Sequence, residues 1–136
     1  MDDRPLLEAI AGWMHREGIA TYTTSTVTAS TPPPVVFYRL PASIPDAFAI
    51  KRTGIRFPTR LDVEVDLQIL VRATTDRAAN TAVTDIEDGL HYLTYLDVGT
   101  QMQISHITHD YTADLDLDQN DRALRAVNVT AWARRY

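Results

Sequence analysis

Residues 61–73 read LDVEVDLQILVRA, and their alternation decides the fold. Leu61, Val63, Val65, Leu67, Ile69, Val71 and Ala73 take the odd positions, while Asp62, Glu64, Asp66, Gln68 and Arg72 take even ones. A period of two held this long puts successive side chains on opposite sides of a strand, one buried and one wet. Such a strand needs paired neighbours and a layer over its apolar side.

Working back toward the start, residues 52–60 read RTGIRFPTR, where Gly54 and Pro58 mark a hairpin connection. It joins the strand at 61–73 to an expected strand from Ala47 to Arg52. Pro41 and Pro45 frame a turn, and Val35 to Leu40 suits a short strand before it. Residues 20–34 are almost all threonine, serine, alanine and proline, and Pro32, Pro33 and Pro34 cannot donate to a ladder, so a flexible or weakly paired loop is expected there. Residues 2–17 predict a helix: Asp2 and Asp3 favour its positive end and Pro5 suits its first turn. Leu6, Ile10, Trp13 and Met14 mark one apolar face, and Gly18 is a natural stop.

Working forward, residues 76–96 predict a second helix, with Asp76 as N-cap and Ala79, Ala82, Val83, Ile86, Leu90 and Leu93 along one face. Gly89 weakens it by up to ~1 kcal/mol relative to alanine. Strands are expected at about 101–109 and 124–134, joined by the acidic loop DYTADLDLDQND. The order is helix, two or three strands, helix, two strands. The expected fold is therefore α+β: a two-layer domain with an antiparallel or mixed sheet of four to five strands packed against two helices.

The 136 residues fit one domain. The absence of cysteine excludes disulfides, thiolate metal sites and thiol nucleophiles. No apolar run reaches the ~18 residues of a membrane span, and no signal stretch is visible, so a protein kept in the cytosol is expected. The formal charge of −5 argues against affinity from phosphate neutralisation. That charge is segregated. Residues 1–60 hold seven basic and five acidic side chains, residues 61–121 two and thirteen, and residues 122–136 four and none. Segregation of this kind bears on how molecules meet.

Catalytic and metal motifs are weak. Asp114, Asp116 and Asp118 match the first ligands of a calcium loop, but Gln119 replaces the turn glycine and Arg125 the closing glutamate. His106 and His109, three apart on an expected strand, point to opposite faces. His91 follows Glu87 at the spacing of a surface ion pair. The five glycines are scattered and form no phosphate-cradling loop, and no Gly-x-Ser-x-Gly is present. No catalytic, cofactor-binding or metal residue is assigned.

What stands out is suited to contact. Arg52, Arg56, Phe57 and Arg60 combine arginines with an aromatic at a hairpin tip, residue types enriched at interfaces. Trp132 lies on the strand face opposite Val127, Val129 and Ala131, either covered by a helix or open to a partner. Arg134, Arg135 and Tyr136 form a basic tail, frayed or docking an acidic neighbour.

The whole pattern resembles the tail-terminator proteins of long-tailed bacteriophages, also filed as minor tail or minor capsid proteins. The resembling features are the short helix Leu6 to Gly18, a Thr/Pro-rich stretch, and Leu40-Pro41 leading to Pro45-Asp46 and Ala47-Phe48-Ala49-Ile50. The strand 61–73, the Asp76 helix, the acidic turn into Asp118-Gln119-Asn120-Asp121-Arg122 and a final strand with Asn128 complete it. The resemblance implies a structural virion protein of the tail or neck, without catalysis or cofactor. It would form a ring, usually sixfold, that caps the tail tube, stops its growth and offers a surface for head joining. The implied partners are copies of itself, the major tail-tube protein and the head–tail connector. A head-closure or connector subunit of the same virion is the alternative, and a small stand-alone enzyme the third. Ring contacts would be heterologous, with Arg52, Arg56 and Arg60 facing Asp114, Asp116, Asp118 and Asp121 of a neighbour. Arg122, Arg134 and Arg135 are further contact candidates, and Phe57 or Trp132 would supply apolar burial.

Overall fold

The computed structural model describes residues 2–91, 93–99 and 102–135, with Tyr95 described in its backbone only. Gln101, the expected start of a strand, and Tyr136 of the basic tail lie outside them. The chain runs α1 (Arg4–Arg16), β1 (Val35–Phe37), β2 (Ala47–Arg56), β3 (Asp62–Ala73), α2 (Asp76–Leu90), β4 (Thr94–Val98), β5 (Met102–Leu117) and β6 (Ala123–Arg135). The class is α+β. The sheet has six strands rather than four to five, in the order β1-β2-β3-β6-β5-β4. It is mixed because β1 lies parallel to β2 while every other pair is antiparallel.

β3 carries the expected pattern. Val63, Val65, Leu67, Ile69 and Val71 are buried, and Glu64, Asp66 and Gln68 are only partly so. Arg72 departs from it: an even position expected to be wet is 7% exposed. Its guanidinium donates to the carbonyls of Pro41, Ile44 and Pro45, so the segment before β2 closes over this end of the sheet. Leu61, an odd position, is exposed in the turn before the strand.

α1 buries Leu6, Ile10, Trp13 and Met14, as their spacing requires, and stops at Gly18, whose φ of +72° suits glycine. Asp3 occupies the N-cap without a side-chain capping bond, its carboxylate accepting from the Tyr38 hydroxyl at 3.1 Å, and the Asp2 carboxylate accepts from Arg4 N–H at 3.0 Å. α1 meets β1 and β2 at one side of the sheet and β4 at the other, so the sheet curls around it as a half-barrel. The Thr/Pro-rich loop is tied at its base. Thr21 bridges Pro34, and the carbonyls of Pro33 and Pro34 accept from Thr21 and Phe48, so these prolines serve as acceptors where they cannot donate.

Several boundaries differ from expectation: β1 stops at Phe37 rather than Leu40, and β2 runs past Arg52 to Arg56, which shortens the connection to 57–61. α2 ends at Leu90, and the tail of the expected 76–96 helix is the separate strand β4. Its N-cap is Thr75, whose Oγ1 accepts from Ala78 N–H at 3.1 Å, with Asp76 one residue inside. β5 continues eight residues past the expected end at 109, so most of the acidic "loop" is strand and the true turn is 118–122. The β5–β6 register shifts between Ile104 and His106, His109 and Tyr111, and Asp114 and Leu117. Each shift breaks the period-two pattern by one residue, which is why alternation ran out in the sequence.

Candidate functional site

β3 and β6 pair along their whole length, from Asp62↔Arg134 to Ala73↔Ala123. The turn between β2 and β3 therefore stands at one end of the sheet and the 118–122 turn at the other. At ~3.3 Å per residue they are roughly 36 Å apart. The expected basic and acidic groups are thus held at opposite ends of one rigid pair of strands.

The basic end gathers Phe57, Arg60, Trp132, Arg134 and Arg135, which are dispersed in sequence. The expected tail is the last turn of ladder in β6. Arg135 N–H donates to Leu61 O at 2.8 Å, its guanidinium donates to Arg60 O, and it lies 4.8 Å from the centre of the Phe57 ring. Arg134 reaches Asp62 at 3.6 Å. Trp132 faces away from the helices. It is stacked on His106, with ring centres 5.6 Å apart and planes 9° from parallel, and donates from Nε1 to Thr108 Oγ1 at 3.3 Å. Arg52 and Arg56 belong to β2 rather than to the turn.

Arg56 is already neutralised inside the chain. It bonds Asp66 at 2.6 and 3.0 Å and Glu64 at 3.0 Å. The Arg56 guanidinium holds the Asp66 carboxyl below the usual range, against burial and with help from the Thr130 hydroxyl. Thr130 Oγ1 lies 3.1 Å from Asp66 Oδ1 and 2.7 Å from Asp110 Oδ2, placing two carboxylates around one hydroxyl. The guanidiniums of Arg52 and Arg60 make no bond among the described residues.

The acidic end is similarly divided. Asp114 lies 3.2 Å from Arg125, which also bonds Asp76 at 3.0 Å and so clamps β5, β6 and the start of α2 together. Asp118 organises the turn: it accepts from Asn120 N–H and Arg122 N–H, both at 2.9 Å, and from Arg122 Nε at 2.8 Å. Burial pushes its carboxyl up, but those three donors outweigh burial and hold it below the usual range. Asp116 and Asp121 sit at φ +64° and +59°, a region aspartate tolerates, and their carboxylates make no bond among the described residues. On either side of Asp116, Leu115 and Leu117 are 43% and 55% exposed, and Tyr111 is 61% exposed.

Two further arrangements lay beyond sequence reasoning. Glu87 bonds across to β5: its Oε2 is 3.1 Å from His109 Nε2 and accepts from Thr112 Oγ1 at 2.6 Å. His91 Nδ1 accepts from His109 N–H at 3.1 Å. This cluster fastens the end of α2 to β5, a use that the Glu87–His91 spacing alone did not show. A groove of about 450 Å³ opens between Ile19, Phe48, Thr75, Ala78 and Ala82. Its lining also carries Asp46, which is bonded to Thr74, Arg72, which is bonded to backbone carbonyls, and Arg77 and Asp85. Among the described residues no group of three or more His, Cys, Asp or Glu is placed to hold a metal ion, and no helix is long and apolar enough to cross a membrane. No protein-family model and no curated protein matches the chain.

Proposed function

We propose that this chain is a structural subunit that assembles head to tail into a closed ring, and that the ring is the tail terminator of a long-tailed bacteriophage. In that role six copies cap the tail tube, stop its growth and present a surface to the head–tail connector. One observation carries the reading. The unbonded Arg60 and the unbonded Asp116 and Asp121 stand at opposite ends of the sheet beside exposed apolar side chains, and the unbonded Arg52 lies midway along β2, opposite Leu67. The groups at the two ends are too far apart to meet within one chain, so each finds its complement only on another copy, a heterologous contact that closes into a ring.

The energetics fit a subunit that assembles on a template. Rim ion pairs contribute only ~0–1 kcal/mol each, so they orient copies while apolar burial holds them. Phe57 and Leu61 at one end, and Leu115 and Leu117 at the other, supply that burial. The likeness to tail terminators in the helix, the Pro-framed turn and the long alternating strand supplies the virion context.

The test is electron microscopy of particles made without this protein. Overlong, headless tubes are the expected result. Filled heads that leak DNA would move the chain to the connector, and intact particles of normal tail length would remove it from the virion altogether.

A further inference from the structure

The sheet ends on two stepped edges. β1 pairs with β2 only from Phe48 to Ile50, and no described strand lies beside β2 on that side from Lys51 to Arg56. β4 pairs with β5 only from Met102 to His106. Leu93 O then takes Ile107 N–H and His91 Nδ1 takes His109 N–H, after which no described strand lies beside β5 from Asp110 to Leu117. A row of unpaired N–H and C=O groups is a template for another strand.

We propose that copies of this chain join by antiparallel pairing of the free half of β2 in one copy with the free half of β5 in the next. The proposal rests on the ring reading for its use and names the interface that reading leaves open. Three features carry it. The first is direction. β2, β3, β6 and β5 reverse at every step, so β2 and β5 run oppositely, and a neighbour set alongside in the same orientation offers β5 antiparallel to β2.

The second is shape. The free half of β2 is near the 57–61 turn, and that of β5 is near the 118–122 turn, so the two occupy diagonal corners of the sheet. When the neighbour slides by about half a strand, these halves come level. Its β4 then sits beyond the 57–61 turn, and β1 of the first copy sits beyond the 118–122 turn. The two short strands act as shoulders that set the register.

The third is charge. The β2 half carries Lys51 and Arg52, with Arg56 already bonded to Asp66 and Glu64, whereas the β5 half carries Asp110 and Asp116, with Asp114 already bonded to Arg125. Pairing β2 with β2, or β5 with β5, would set like charges opposite each other and is disfavoured, so only the head-to-tail join is admitted. The bulges at Thr53 and within β5 leave short regular stretches, which restrains pairing until copies are gathered on a template.

The chain has no cysteine, so an introduced thiol is the only one present. Full-length Arg52→Cys or Thr53→Cys protein is mixed, under mild oxidant, with Tyr111→Cys, Ala113→Cys or Leu115→Cys protein. The reaction is run in concentrated solution and in assembled particles. Disulfide-linked dimers are expected in mixtures, at positions that alternate along the strand, and not in any variant alone. Adding Arg52→Glu to the Thr53→Cys chain is expected to slow cross-linking about tenfold, as attraction becomes repulsion. Dimers of a single variant forming as fast as mixed ones would overturn the interface, as would no cross-link from any mixture in either setting. If tubes lacking the protein overgrow while no mixture cross-links, the terminator reading stands and this interface falls. Cross-linked mixtures alongside normal tubes give the reverse.

Discussion

β5 is one strand with two unlike halves. From Met102 to His106 it is flanked by β4 and β6, Leu93 O takes the next N–H, and Met102, Ile104 and Ile107 are fully buried in the main core. From Asp110 to Leu117 it has β6 on one side only, and Tyr111, Leu115 and Leu117 face solvent. The same backbone thus serves first as core and then as rim. The apolar residues of the first half stabilise the chain, whereas those of the second half offer area that only another molecule can cover.

The sharpest way to break this contrast is to truncate a residue in the first half. Ile107→Ala leaves a cavity under a two-sided strand and is expected to cost about 2–5 kcal/mol in urea unfolding. A loss below ~1 kcal/mol would mean that this half does not belong to the core as described. Over that core the Trp13 ring of α1 packs against Gly89 of α2. A Cβ on Gly89 would lie 2.6 and 2.7 Å from ring carbons of Trp13. Helix propensity alone makes Gly89→Ala stabilising by up to ~1 kcal/mol. The Trp13 ring reverses the sign, and a net loss of about 1–3 kcal/mol is expected, read as a lower Tm.

That reversal marks what the sequence could and could not disclose. Propensity and periodicity are local, so β3 and the apolar face of α1 were legible, and so was the α+β class. Gly89 was read as a weakness because its neighbour Trp13 lies 76 positions away in the chain. β4 was absorbed into α2 because Leu90 and Leu93 keep helical spacing across the break at His91. The second half of β5 was read as loop because bulges interrupt its alternation. Of the candidate contacts, the charges divide by stretch in the sequence, yet their pairing depends on strand register, which sets Arg122 and Arg125 among the acidic groups. Nothing near Arg125 in the chain announces Asp76, and nothing in residues 52–60 announces that Arg56 is spent on Asp66.

The polar face joins the two halves through Asp110, Thr130 and Asp66, and pH tests that join. Asp66 is held below its ordinary pKa in the folded chain, so the unfolded chain binds more protons once pH falls below ~4. Its contribution is complete above that pH and is lost as pH falls through the folded value. Asp66→Asn is therefore expected to be less stable than the parent at neutral pH, with the gap closing on acidification. Urea unfolding from pH 7 to pH 3 measures it. A gap that widens in acid would show that repulsion from Asp110 outweighs the Arg56 bond.

The smallest expected effect on stability is the one that most sharpens the contrast. Leu115→Ser with Leu117→Ser removes apolar side chains that are already about half exposed and are not members of the main core. Surface changes of this kind stay within ~0.5 kcal/mol, so the unfolding midpoint should hardly move. If these leucines serve the rim of an assembly, the double variant should lose ring formation while remaining folded, and the same pair of changes placed in the Tyr111→Cys chain should abolish its cross-linking to Thr53→Cys protein. A fall in stability matching that of Ile107→Ala would place both halves of β5 in one core, and the distinction between core and rim would fail. Unchanged assembly in a folded variant would leave the leucines without a role there, and affinity would then have to come from Phe57, Leu61 and the backbone ladder. The pair of readouts separates these outcomes because stability belongs to one copy and assembly to two.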